Sequence, residues 1–170
     1  MFAIETQSIV LTTWEPEDWQ FVHALASDPE VVRFIGHGLA WTDDRAREFV
    51  SRQIANYVAW GTCLWKMFLL PGREPVGFCG IQPLEGTREF EIGWWLAREH
   101  WGKGLSTEAA RAALHDGFQR VGLARVVSVA VPENDRSIRV MKKLGMSFER
   151  GTTHKGVPVV LYSIARPETP

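Results

Sequence analysis

The spacing of apolar positions switches repeatedly along the chain, and each switch marks a new element. "SIVLTTW", Ser8 to Trp14, alternates as a short strand does. "PEDWQFVHALAS" follows with Pro16 and two acids in a first helical turn, where the helix dipole favours them. "DPEVVRFIGHGLAWTDD" holds a short helix around Val31 to Phe34, then a loop bounded by Gly36 and Gly38. Thr42 is placed to cap a longer helix with Asp43 and Asp44 in its first turn and Phe49, Ile54 and Val58 among its apolar positions.

"TCLWKMFLL" and "PVGFCGIQPL" read as strands joined by "PGRE", with "REFEIGWWLA" as a third after "EGT", an antiparallel meander. The period then becomes helical through Leu105, Ala110, Leu114, Phe118 and Val121, ending at Gly122. "ARVVSVAVP" is nearly continuous in apolar residues, as a strand covered on both faces is. "ENDRSIRVMKKLG" makes a last helix stopped by Gly145, and "MSFERGTT" with "VPVVLYSIA" a closing hairpin. The predicted order is βααβββαβαββ, an α/β chain whose central, mostly antiparallel mixed sheet is flanked by helices. No linker, repeat or low-complexity tract divides residues 1–170, so one domain is expected.

Composition excludes more than it selects. With 45 % hydrophobic and 23 % charged residues the chain is that of an ordinary globular protein. A net charge of -1 gives no whole-molecule attraction for nucleic acid. Cys63 and Cys79 lie in apolar runs without the repeated pairs of a metal site and read as small core residues; no metal is expected. The opening lacks a basic start followed by an apolar run, and no stretch is long enough to span a bilayer, so a cytoplasmic protein without membrane partners is expected. Eight tryptophans is a high count, and Trp14, Trp41, Trp60, Trp94, Trp95 and Trp101 fall near element ends, where they either pack or line a pocket.

The chemistry centres on "WGKGLSTEAA", Trp101 to Ala110. Two glycines flank Lys103 and a helix starts at once, so main-chain N–H groups without intrahelical acceptors meet the partial positive end of the helix dipole. Phosphate-like oxygens suit such a place, and glycine admits them without a Cβ in the way. A nucleotide-triphosphate loop does not fit, because Lys103 is followed by Gly104 and the first glycine's position holds Ala97. A dinucleotide loop fails as well, its third glycine being Thr107.

"EIGWWLAREHWGKGLSTEAARAAL" and "VPENDRSIRVMKKLGMSF" resemble the GNAT superfamily of N-acetyltransferases, in particular its RimJ/RimL-type branch, as do "LTTWEPEDWQFVHALASDPEVVRFIG" near the start and "GVPVVLYSIA" at the end. The resemblance implies the GNAT fold and transfer of acetyl from acetyl-CoA to a primary amine, on a protein N-terminus or a small molecule, in one ternary complex. The family's loop pattern Q/R-x-x-G-x-G/A falls on Trp101, Gly102, Lys103, Gly104, Leu105 and Ser106, with Trp101 and Ser106 departing from it. Because such contacts run through main-chain amides, neither departure removes the diphosphate site.

By the same resemblance Glu91 is the general base, and Trp95 and Leu96 offer main-chain groups to the pantetheine arm and acetyl oxygen. Many relatives carry a proton-donating tyrosine in the last helix, where this chain has Met141. The RimJ/RimL-type branch instead carries a serine one turn earlier in "NxxS", so the resemblance makes Ser137 in "NDRS" the acid candidate and Asn134 a cofactor-orienting amide, which also suits Asn134 as a helix cap. Lys143, and less strongly Arg139, are placed for the cofactor's 3′-phosphate, and His37 and Trp41 for the acceptor amine. The absent tyrosine leaves a second function open, an acyl-CoA-binding sensor or interaction module without chemistry. Whether the chain is a monomer or a homodimer is left open.

Overall fold

The computed structural model describes residues 2–72 and 74–168. The chain begins with a hairpin of β1 (Ala3–Glu5) and β2 (Ile9–Thr12), followed by α1 (Trp19–Leu25), α2 (Pro29–Val32) and α3 (Asp43–Trp60). The meander of β3 (Leu64–Leu69), β4 (Pro75–Pro83) and β5 (Phe90–Leu96) leads to α4 (Leu105–Asp116), β6 (Arg125–Ala130), α5 (Asp135–Lys143), β7 (Ser147–His154) and β8 (Val157–Ala165). Among the described residues no helix is long and apolar enough to cross a membrane.

Among the described residues eight strands form one sheet in the order β1-β2-β3-β4-β5-β6-β8-β7. All neighbours are antiparallel except β5 and β6. This is the mixed, mostly antiparallel α/β sheet expected from the sequence, with two additions: β1, and α2 counted as a helix of its own. β1 is too short for alternation to reveal, and it is held by pairing Ala3 to Thr12 and Glu5 to Val10. The closing hairpin also enters the sheet in reverse, β8 beside β6 and β7 outermost.

Local signals work where expected. Thr42 Oγ1 accepts from Arg45 N–H to start α3, and Gly61 ends it in the left-handed region at φ 69°. The end of α4 widens into i→i+5 bonding over Gly117–Val121 before Gly122 stops it. One apolar assignment is wrong. The buried stripe of α3 is Ala46, Phe49, Val50 and Gln53, while Val58 is 81 % exposed. The stripe advances by three or four residues, so Val58 falls off it and a glutamine takes a core position.

One main cluster runs through the sheet and the helices on both of its faces. Phe49 of α3 meets Trp14 edge-on and Phe78 at a tilt, and Ala109, Ala110, Ala113 and Leu114 press α4 on the other face. Small residues on α4 let it lie close to the sheet, and both cysteines are buried beneath, their thiols pushed far above the ordinary range by loss of solvent.

Candidate active site

The site begins where the sheet comes apart. β5 and β6 share the single register pair Glu91–Val127, and Ser128 Oγ then donates to the Ile92 carbonyl at 3.0 Å. Among the described residues no further pairing of these two strands follows. On its other edge β5 stays zipped to β4, where Ala97 N–H donates to Val76 O at 2.8 Å. Alternate residues of an antiparallel ladder turn their groups to opposite sides, so the Trp95–Phe78 pair is bonded into β4. Trp94 and Leu96 face the gap instead. Of the two residues named from the sequence, Leu96 turns its main-chain N–H to the gap, as Trp94 does, while the main chain of Trp95 is engaged by β4.

The gap continues into a cleft of about 670 Å³ walled by the end of β5, the glycine turn, the first turns of α4 and α5, and the segment around α2. Trp101 Nε1 donates to Leu96 O at 2.7 Å and ties the turn to the end of β5. Gly102 and Gly104 have φ of 76° and 80°, and a Cβ built at either meets nothing within 4 Å. The backbone conformation therefore demands glycine, and the space beside it stays open for a ligand. No side chain caps α4, so its first amides remain free, and Gly104, Leu105, Ser106 and Thr107 all line the cleft.

Of the residues picked from the sequence for the cofactor, Trp95, Leu96, Trp101, Gly102, Gly104, Leu105, Ser106, Asn134 and Lys143 line the cleft, as do Ser137 and Arg139. Lys103 does not. Asn134 Oδ1 caps α5 by accepting from Ser137 N–H at 3.2 Å, which engages the serine's main chain and leaves its hydroxyl for the cleft. Met141 is fully buried in the core.

His37 is exposed and Trp41 is buried against Trp95, at 4.9 Å between ring centres, and Phe49; neither lines the cleft. Arg33, Phe34, Trp94, His100 and Arg136 line it without having been picked. Arg136 lies over the Trp101 ring at 4.1 Å, and its position beside Ser137 in the first turn of the last helix was the available signal. The others come together only through chain reversals, which spacing does not report.

Glu91 sits at the apex of the gap, on the α3 side of β5 and outside the cleft lining. It is half-buried, and Gln82 Nε2 donates to its Oε1 at 2.8 Å. Burial raises its pKa above the usual carboxylate range, against the pull of the Gln82 amide and of Lys155 and Arg52. A carboxyl with a raised pKa beside a cleft is the pattern of a proton acceptor.

Residues 8–147 match the family described as the Acetyltransferase (GNAT) domain. The chain belongs to the GNAT acetyltransferase family. It is 32 % identical to the uncharacterized N-acetyltransferase YnaD of Bacillus subtilis over 155 residues, 91 % of this chain and 88 % of that one. It is 27 % identical to the spermidine N(1)-acetyltransferase of Escherichia coli K12, over 87 % and 77 %. Among solved structures, a GNAT-family acetyltransferase from Bacillus anthracis superposes with a TM-score of 0.82 at 28 % identity, covering 98 % of this chain and all of the other. RimL, a ribosomal L7/L12 alpha-N-protein acetyltransferase solved with coenzyme A, shares the fold at a TM-score of 0.81 and 16 % identity, over 96 % and 98 %. Membership makes the protein an acetyl-CoA-dependent acetyltransferase. The cleft fits that donor: open glycine positions, an uncapped α4, and the cations Arg136, Arg139 and Lys143 suit a diphosphate with a further phosphate.

Proposed function

We propose that this acetyltransferase moves acetyl onto a primary amine by direct attack in a ternary complex. The observation that carries the reading is the parting of β5 from β6 immediately beyond Glu91. It sets a carboxyl of raised pKa, the main-chain N–H groups of Trp94 and Leu96, and a cleft with anion-binding amides side by side.

Each part has one task. The amides of Gly104 to Thr107, aided by Arg136, Arg139 and Lys143, hold the phosphates, and Asn134 lines the wall beside them. Bound acetyl-CoA supplies an activated carbonyl and a thiol leaving group. A free N–H of β5 faces the oxygen on which charge develops, a contribution of about 2.7–4 kcal/mol in enzymes where such a donor was removed. Glu91 takes a proton from the acceptor ammonium, a transfer its raised pKa brings nearer to balance with an amine near pKa ~10. The amine lone pair then forms the new N–C bond as the C–S bond breaks, and the second proton shed by nitrogen replaces the one that Ser137 Oγ passes to the thiolate, so the hydroxyl is restored and the thiol leaves neutral. Ser137 lies in the cleft while Met141 is sealed in the core, so the absent tyrosine does not favour a sensor without chemistry.

For the acceptor we propose a small amine or a protein N-terminus, in keeping with the spermidine enzyme's name and with a RimJ/RimL-type branch. Reduced, buried Cys63 and Cys79 suit a cytoplasmic setting. Mass spectrometry of amine and peptide libraries incubated with protein and acetyl-CoA tests the reading. Acetylated products on one amine class are expected. Tight coenzyme A binding by calorimetry, with no product from any amine, would sink it.

A further inference from the structure

A directed row of amides runs from α3 to Glu91. Leu64 N–H donates to Gln53 Oε1 at 2.9 Å, Gln53 Nε2 donates to Gln82 Oε1 at 2.8 Å, and Gln82 Nε2 donates to Glu91 Oε1 at 2.8 Å. The two ends of a glutamine amide look alike, but a main-chain N–H can only donate. Leu64 therefore fixes which end of Gln53 faces it, Gln53 fixes Gln82, and reversal of either would set donor against donor. Glu91 is where the row ends.

The placement is costly to the fold, which makes it informative. Gln53 is the polar member of the buried α3 stripe and is fully buried, a position an aliphatic residue would fill more simply. A stripe needed only for packing has no use for it. Both of its amide groups are engaged, so the row is complete and its direction unique.

The row holds one carboxyl oxygen and leaves the other. Among the described residues Oε2 of Glu91 has no hydrogen-bond partner, and it is not sealed from solvent. The charged groups around it come from three further elements: Arg52 on α3, Glu85 in the turn after β4, and Lys155 in the turn after β7. Glu85 and Lys155 pair with each other at 2.6 Å.

We propose that Gln53 and Gln82 are positioning residues for acetyl transfer, holding Oε1 of Glu91 so that Oε2 is the oxygen that takes the acceptor's proton. The N–H bond that breaks leaves its electron pair on nitrogen, and an O–H bond forms at Oε2, converting ammonium and carboxylate into amine and carboxylic acid. The proposal rests on Glu91 being the base, and its test separates the two ideas.

The full-length chain, labelled with 13C-glutamate, is titrated by NMR without ligand, with the Glu91 Cδ resonance identified by its loss in Glu91→Gln. Gln82→Met and Gln53→Met are compared with it, thermal unfolding confirming that each is folded. The same proteins are assayed for kcat/KM against pH with acetyl-CoA and the library amine turned over fastest. Removing a donor from the charged form must raise the Glu91 midpoint, and the acid limb of kcat/KM should rise with it. That reads as about a tenfold loss below the limb and under about twofold on the plateau. A midpoint unmoved in folded Gln82→Met overturns the row as a determinant of Glu91. A midpoint that moves while the acid limb stays put overturns Glu91 as the base, and the proposal with it. An equal loss at every pH also overturns it, since a purely structural role acts that way.

Discussion

Around the glycine turn, residues of α4's first turn with uncapped main-chain amides line the cleft, and Lys103 just before them does not. Around Glu91, a short way along the same sheet, the environment is made by the side chains of Gln53 and Gln82. The first region is specified by backbone conformation, which demands glycine at 102 and 104 and leaves Lys103 between them free to vary; the second is specified by side-chain chemistry and tolerates few replacements. Evolutionary freedom, pH response and sensitivity to mutation should differ accordingly between binding and chemistry.

The largest expected effect tests whether chemistry resides in the second region. Glu91→Gln should lower kcat by about 100-fold or more while calorimetry finds coenzyme A affinity within about twofold. A parallel loss of affinity would merge the two regions and break the contrast. Next, Gly104→Val imposes a β-branched residue at φ 80°, strained by roughly 1–2 kcal/mol, and fills the open space beside the turn. Coenzyme A affinity should fall on the order of 10- to 100-fold with little change in the Glu91 titration. Ser137→Ala keeps the α5 cap, which uses the main-chain N–H, and should slow thiol release about tenfold in stopped-flow assays.

Smaller effects sharpen the contrast. A carboxyl whose folded pKa is raised binds protons more readily in the folded than in the unfolded chain. Stability therefore falls as pH rises from the unfolded value through the folded one, and the deficit persists above both. Glu91→Gln should raise Tm above that window and leave it unchanged below about pH 3, where the group is protonated in both states. A gain independent of pH would mean that burial of Glu91 carries no charge cost. Smallest of all, Lys103→Ala should leave coenzyme A affinity within about twofold at physiological salt.

Much of the cleft could be read from the chain because its signals are local. Gly102, Gly104 and the helix behind them are neighbours in sequence, as are Asn134 and Ser137, so spacing alone conveys their geometry. The acceptor side was less legible: Trp41 joined the packing against Trp95 and Phe49, and His37 stayed exposed away from the cleft. Nothing local distinguishes a tryptophan that packs from one that lines a pocket. Trp94, Trp95 and Trp101 do the latter, while Trp14 and Trp41 are core and Trp60 is largely exposed.

By itself the sequence determined the elements other than β1, several of their caps, the glycine turn and the kind of ligand such a turn suits, because periodicity, capping and left-handed backbone are set by residues within a few positions of one another. Tertiary structure alone decided the insertion of β8 between β6 and β7, the parting of β5 from β6, and the meeting of Gln53, Gln82 and Glu91. Those features depend on which distant segments pair and where pairing stops, a balance of sheet register and helix packing that no window of sequence contains.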